Sequence, residues 1–326
     1  MEAFNQLLES IKKAKNVVIL SHVGPDGDTL GSMLAMNEIL KNYNNIEKID
    51  YIISGRIPDV YKFLPGIESA KTVNNSELYS SYDLAIAVDC ASVERLGDSI
   101  DLFRNAKSTA NLDHHISSIN FADVNIINSI ASATGQIVYD LIKFLNINIT
   151  KNMATYLYTA ILTDTGGFKF ENTKPETLEI CADLMRYGAN AVNIYQECLE
   201  LKPLAMVRLQ ANVIDNAIFT FDNKIAYTSV TRKLLEFFNA SDDHVDGISK
   251  SLREINTVEV AIVFKETSKG DTKISFRSKK VDVCEISKFF GGGGHKLAAG
   301  CTIQKNIADT INEVLPIVKK QISRLS

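Results

Sequence analysis

Apolar positions along the chain follow two rhythms. Phe4, Leu7, Leu8 and Ile11 recur three or four residues apart, as on a helix with one buried stripe. Val17-Val18-Ile19-Leu20 follows as an unbroken apolar run that suits a short, fully buried strand. A second helix is expected from about Thr29 to Leu40, with Leu30, Met33, Leu34 and Ile39 on one side. Gly31 and Ser32 allow close approach at its first turn. Strand, polar loop and helix recur through Ile49 to Ile53, Leu84 to Val88 and Thr109 to Leu112. Continuous apolar strands alternating with helices predict a parallel sheet covered on both faces.

From Pro175 the pattern becomes helical, over about 176–187, 191–200 and 203–216. Strand-like runs then cover 224–230, 258–264 and 273–276, before a glycine run and an amphipathic helix over 307–322. The expected fold is therefore α/β. A parallel-sheet domain with flanking helices occupies 1–188, a helical linker 189–216, and a smaller mixed-sheet α/β domain 217–326. A chain of 326 residues is long enough to bury two such cores.

Charge narrows the partners. A formal net charge of -4 argues against a broad basic face that coats long nucleic acid, because such affinity comes from many phosphate contacts. Short polyanions need only a few basic groups. No segment approaches the roughly 18 uninterrupted apolar residues of a membrane span, and the start lacks a signal-peptide pattern, so a cytoplasmic protein without a membrane partner is expected. Five scattered cysteines have no redox or zinc-ribbon spacing and read as reduced thiols; Cys90 reads as a packed strand-end residue.

The chemistry gathers where predicted strands end. The chain has five histidines, and three lie in two carboxylate-rich segments, Ser21-His22-Val23-Gly24-Pro25-Asp26-Gly27-Asp28 and Asp113-His114-His115. Ligands in open parallel sheets bind beyond the carboxyl ends of the strands, where His22, Asp26, Asp28, Asp89 and the Asp113 triplet would converge. Asp164, in Leu162-Thr163-Asp164-Thr165-Gly166-Gly167, is a further candidate. His22, Asp26, Asp28, Asp89, His114 and Asp164 offer two imidazoles and four carboxylates without a thiolate, a donor set that favours manganese or magnesium. Asp26 and Asp28 can each face a different ion, with a shared carboxylate such as Asp89 between them. Two ions roughly 3.5–4 Å apart suit in-line displacement at phosphorus, the hydrolysis of a phosphate ester. An isolated aspartate at a strand end is usually a helix cap; four such segments at equivalent positions are not explained that way.

In the second domain, Ile274-Ser275-Phe276-Arg277-Ser278 and Phe290-Gly291-Gly292-Gly293-Gly294-His295-Lys296 read as an anion pocket. Glycine backbone can approach a phosphate closely, Arg277 can bind it bidentately, and His295 can donate or stack. The spacing is not that of a dinucleotide fingerprint. His244 and the pair Lys279-Lys280 read as surface residues.

These motifs, with Ala87 to Ser92, Asn111 to His115, Thr163 to Phe168 and Gly291 to Gly300, resemble the DHH phosphoesterase superfamily over essentially the whole chain. The resemblance is to the nanoRNase type, which carries a DHH-associated C-terminal domain. It implies one metal ion on His22, Asp26 and Asp89 and a second on Asp28, Asp89, His114 and Asp164, with Asp89 as the bridge. It further implies that His115 contacts the scissile phosphate, that Asp113 orients the histidines, and that Arg277, Ser278 and the Gly291, Gly292, Gly293, Gly294 and His295 loop bind substrate while the second domain clamps the nucleotide.

The implied activity is manganese-dependent, with magnesium as the alternative. It is hydrolysis of short oligoribonucleotides to mononucleotides, and of 3′-phosphoadenosine 5′-phosphate to AMP. The implied partners are short RNA or small nucleotides, and a homodimer is left open. A linear or cyclic dinucleotide phosphodiesterase would use the same core. A RecJ-like exonuclease would be longer, and a family II pyrophosphatase would lack the glycine-rich domain. A non-catalytic nucleotide sensor or RNA-binding module would tolerate loss of metal ligands, and here all are present.

Overall fold

Val17 to Leu20 are fully buried, as an apolar run with no polar alternation requires, because both faces of such a strand must be covered. The computed structural model describes residues 2–324. It begins α1 (Glu2–Lys13), β1 (Asn16–Leu20), α2 (Gly27–Leu40), β2 (Lys48–Ile52), β3 (Leu84–Val88), α3 (Ile100–Arg104), β4 (Thr109–Asp113) and β5 (Val124–Ile127). Four helices follow, α4 (Thr134–Leu145), α5 (Lys151–Asp164), α6 (Pro175–Arg186) and α7 (Ala191–Tyr195). The strands form one parallel sheet in the order β2-β1-β3-β4-β5.

Alternate strand residues divide between two cores. Val17, Ile19, Ile86, Val88 and Leu112 pack with α2, α4 and α5, whereas Val18, Leu20, Ala85 and Ala87 pack with Leu96 and Phe103. On the first face α2 and α5 cross very closely. A Cβ on Gly31 would lie 2.3 Å from the Tyr156 carbonyl oxygen, so only glycine permits this approach. β5 was not expected from the apolar pattern. It is a four-residue edge strand buried only at alternate positions, too short to mark itself.

The chain divides between Leu201 and Lys202 into two units. The expected linker 189–216 is thus not a separate element. Ile194 of α7 lies in the core of the first unit, while Leu209 and Val213 of α8 (Leu204–Asp215) are buried in the second, because each amphipathic helix turns its apolar side to the core of its own unit.

The second unit continues with β6 (Ile218–Thr220), β7 (Ile225–Val230), α9 (Arg232–Phe237), α10 (Ile248–Glu254), β8 (Val260–Glu266) and β9 (Thr272–Ser278). It ends with α11 (Val283–Phe289), β10 (Gly293–His295), β11 (Ala298–Ile303) and α12 (Ile307–Ser323). Its mixed sheet runs β10-β11-β9-β8-β7-β6, with β7 and β8 the parallel pair. Ile262, Phe264, Ile274 and Phe276 pack with Val314 and Val318 of α12, and Ala261 and Val263 face α8 and α10 on the other side. Among the described residues all five cysteines are unpaired, and no helix is long and apolar enough to cross a membrane.

Asp83 fastens the start of the first sheet. Its carboxylate accepts from the backbone N–H groups of Lys15 and Asn16 at 2.9 and 3.0 Å and from Lys107 Nζ at 2.8 Å, which together hold its pKa down at about 2. A depressed carboxylate contributes stability that is complete above its unfolded pKa of about 4 and is lost as pH falls toward the folded value. Asp83→Asn is expected to lower Tm by roughly 2–4 °C at pH 7. In thermal denaturation across pH, that difference should shrink below about pH 4; a gap that stays constant down to the acid limit would exclude an electrostatic origin.

Candidate metal centre and phosphate site

Asp26, at the end of the loop after β1, caps α2 by accepting from the N–H groups of Asp28 and Thr29, both at 3.1 Å. This fixes the loop and starts the helix at once. Asp28 then lies in the first turn of α2 and is fully enclosed. It accepts from the N–H groups of Thr134 and Gly135 at 2.7 and 2.8 Å, donors exposed by the N-terminus of α4. Asp89 follows β3 in left-handed backbone, φ 61°, a conformation that costs a non-glycine residue about 1 kcal/mol or more and turns the chain sharply at the sheet edge. Its two oxygens accept from Thr29 Oγ1 at 2.7 Å and Thr134 Oγ1 at 3.1 Å.

The histidines are oriented by carbonyls. His22 Nδ1 lies 3.0 Å from the Val23 carbonyl and His114 Nδ1 lies 3.3 Å from that of Ala131, so both rings turn Nε2 toward the carboxylates. His22 Nε2 is 3.5 Å from Asp89, and His114 Nε2 is 3.7, 3.8 and 3.6 Å from Asp28, Asp89 and Asp164. Asp164 closes α5, and Asn172 donates to its Oδ2 at 3.2 Å. The six expected ligands are thus brought together in two groups, His22 with Asp26 and Asp89, and Asp28 with His114 and Asp164; in each, donor atoms lie within 4.8 Å of one another.

His115 joins Asp89 and His114 in a third such group, but its Nδ1 is committed to Asp113 Oδ1 at 2.7 Å. Asp113 is fully buried, so the ring is held from behind and its Nε2 remains for a ligand. The Asp113 bond raises the His115 pKa to about 9, against the opposing effect of burial, so the ring is cationic at neutral pH.

The carboxylates are crowded. Burial, and then the charges of Asp89, Asp164 and Asp26, push the Asp28 pKa well up. Burial also raises Asp89, but His22 and Thr29 outweigh it and keep that carboxylate ionised. Two buried carboxylates, Asp28 and Asp89, with the half-buried Asp164, the exposed Asp26 and two imidazoles, fit a divalent cation site, and the buried pair is costly without one.

The second unit gathers positive charge. Lys273, Ser275 and Arg277 fall on one face of β9 because they are two residues apart. With Lys265, Asp246 and Ser249 they line a cavity of about 290 Å³. Arg277 Nη1 donates to the Phe276 carbonyl at 2.9 Å, and burial together with neighbouring Arg253 lowers its pKa, an imbalance that an anion would relieve.

The glycine run differs from the expected open cradle. Gly291 and Gly292 donate to the carbonyls of Lys288 and Ser287 and so finish α11, while Gly293 to His295 form the edge strand β10. A Cβ on Gly292 would lie 2.3 Å from the Gly300 carbonyl oxygen, and one on Gly294 would lie 2.5 Å from that of Ala298, so close pairing with β11 requires both glycines. Ser278 is buried and donates to the Val281 carbonyl at 2.6 Å, so its hydroxyl shapes a turn. His295 stays exposed at the sheet edge. Lys279 is exposed and caps the carbonyls of Ile255 and Asn256, and His244 accepts from the Ser241 N–H.

Sequence reasoning missed the residues that surround the candidate ligands. Thr29 was within reach, being three residues beyond Asp26. Thr134, Gly135, Asn172 and Arg95, whose Nη2 lies 3.1 Å from His22 Nδ1, come from distant segments with no motif of their own.

The DHH family, N-terminal domain, matches residues 16–161, and the DHHA1 domain matches residues 222–324. The chain is 32% identical to the bifunctional oligoribonuclease and PAP phosphatase NrnA of Thermus thermophilus, over 94% of this chain and 90% of that one. A probable enzyme of the same description from Streptococcus mutans is 28% identical, over 92% and 93%. An exopolyphosphatase-related protein from Bacteroides fragilis shares the fold with a TM-score of 0.90 at 24% identity, covering 99% of this chain and 97% of that one.

Burial pushes the Asp164 pKa up to about 6; the charges of Asp89 and Asp26 add to this, and His114 opposes it. A raised carboxylate costs nothing below its unfolded pKa of about 4 and costs most above its folded value. Without metal, Asp164→Asn should therefore raise Tm at pH 8 by about 2–6 °C, with the gain fading below about pH 6 and gone by about pH 4. The same variant should lose most of the rise in Tm that manganese gives the parent. A full manganese response in the variant would remove Asp164 from the ligand set.

Proposed function

Since the chain belongs to the DHH family of phosphoesterases, we propose that it hydrolyses short oligoribonucleotides to mononucleotides and releases the 3′-phosphate of 3′-phosphoadenosine 5′-phosphate. The observation that carries this reading is the gathering of the six candidate ligands into two groups, with Asp89 in one and 3.8 Å from His114 of the other, and the Nε2 of His115 presented beside them. Two divalent ions, manganese with magnesium as the alternative, held by His22, Asp26 and Asp89 and by Asp28, Asp89, His114 and Asp164, would supply Lewis acidity and neutralise charge at phosphorus.

The chain's own groups supply the rest. Asp113 fixes the His115 ring, and the cationic ring donates from Nε2 to a phosphate oxygen, where negative charge grows during displacement. Thr29, Thr134 and Gly135 hold the carboxylates of Asp28 and Asp89 in place, so the ligands need no rearrangement when substrate binds. In the second unit, Arg277 with Lys265 and Lys273 forms a phosphate-binding surface, and His295 with the edge backbone of Gly293 and Gly294 offers contacts for a nucleotide. Gly291, Gly292 and Ser278 support that surface through the turns they build. The named activities of the relatives favour this substrate class, and the acidic chain suits short substrates over long nucleic acid.

With manganese, the protein should release phosphate from the bisphosphate nucleotide and mononucleotides from a five-nucleotide RNA, and a chelator should abolish both. Linear and cyclic diadenylate belong in the same panel; faster turnover of either would transfer the assignment to a dinucleotide phosphodiesterase. Absence of metal-dependent turnover on all four would make the protein a nucleotide-binding module. Asp89→Ala should lower kcat/KM by on the order of a hundredfold or more. Retention of more than about a tenth of the activity would refute Asp89 as the shared ligand.

A further inference from the structure

One charged side chain against the ligands belongs to none of the motifs. Residues 93–99 follow β3 as a tight helical segment pinned to the loop that carries His22. The Val23 N–H donates to the Arg95 carbonyl at 2.8 Å, and a Cβ on Gly97, φ 55°, would come within 2.3 Å of Val23 Cγ2. The Arg95 backbone is therefore fixed beside the site while its side chain stays exposed. Its Nη2 lies 3.1 Å from His22 Nδ1, the nitrogen that also lies 3.0 Å from the Val23 carbonyl.

One ring nitrogen cannot serve both neighbours. The carbonyl needs an N–H at Nδ1, and the guanidinium, which only donates, needs a lone pair there. His22 Nε2 faces Asp89 at 3.5 Å, and ligation through Nε2 leaves the proton on Nδ1, bonded to Val23. The guanidinium then has no acceptor on His22 and stands as a free cation at the rim.

Charge says what it would bind. The four ligand carboxylates, Asp26, Asp28, Asp89 and Asp164, would be balanced by two divalent ions, and His115 is paired with Asp113 at 2.7 Å. A bound phosphate ester then adds negative charge that the site itself does not balance, and the Arg95 guanidinium on the His22 side offers a cation with a fork that matches two phosphate oxygens.

We propose that Arg95 is a substrate-binding residue of this site, taking a phosphate oxygen on the His22 side, and that it does not orient His22. The proposal rests on the phosphate-ester reading above, but a probe other than turnover can decide it.

Arg95→Gln and Arg95→Lys would be compared with the parent, each loaded with manganese. The expected results are an unchanged manganese-induced rise in Tm and an affinity for inorganic phosphate, read by calorimetry, that falls about tenfold in Arg95→Gln. KM for the bisphosphate nucleotide should rise by a similar factor with kcat little changed, and Arg95→Lys should recover part of both losses. Loss of the manganese response would make Arg95 a support for His22 and overturn the proposal. Unchanged phosphate affinity would overturn it too, as would a fall in kcat at constant KM. If the parent releases no phosphate from the nucleotide, the functional reading fails, while the calorimetric comparison still decides the role of Arg95.

Discussion

The first unit is organised around a repulsion that its backbone has to contain. Asp26, Asp28, Asp89 and Asp164 bring their carboxylates to one point at the carboxyl edge of a parallel sheet, and Asp28 and Asp89 are almost wholly out of water. Charges so placed would neutralise or drive the chain apart unless donors hold them. The donors are structural features already present for other reasons: the open N-terminus of α4, the first turn of α2, and threonine hydroxyls on both. The close crossing of α2 and α5 at Gly31 brings the two helices that carry Asp28 and Asp164 together. Helix packing and ligand placement are one constraint.

That arrangement also explains the division of labour within Asp113-His114-His115. Successive residues leaving β4 point in different directions, so three adjacent side chains meet three environments. Asp113 turns into the interior, His114 presents Nε2 to three carboxylates, and His115 leans back on Asp113 with its outer nitrogen free. The second unit follows a different principle. Its glycines are required mainly by the closeness of β10 to β11 and by the end of α11, and its cations are aligned by the two-residue repeat of β9.

Most of the first unit was legible because its signals are local. Runs such as Leu84 to Val88 have no polar positions, so they must be buried on both faces, and only a helix-covered parallel sheet does that repeatedly. The candidate ligands were legible because aspartate and histidine at the ends of such runs cannot serve the core. β5 escaped because four half-buried residues at an edge carry little pattern. The linker over 189–216 dissolved because amphipathicity shows that a helix is covered on one side without showing which core covers it. Ser278 and the first two glycines were given to substrate because residue type alone does not reveal that a hydroxyl or an N–H is already committed.

The sequence by itself determined the alternation of strands and helices, the two-part organisation, and the six acidic and imidazole side chains that could hold metal. These follow from residue type and from spacings of a few positions, which local backbone geometry converts directly into burial and direction. Only the tertiary structure decided which nitrogen each histidine presents, that Thr134, Gly135 and Asn172 hold the carboxylates, and that Arg95 lies beside His22. Asp28 is joined to Thr134 and His22 to Arg95 across long stretches of chain, and a hydrogen bond between distant segments leaves no periodicity in either of them. Such contacts exist only after the sheet order and the helix crossings have brought those segments to the same edge.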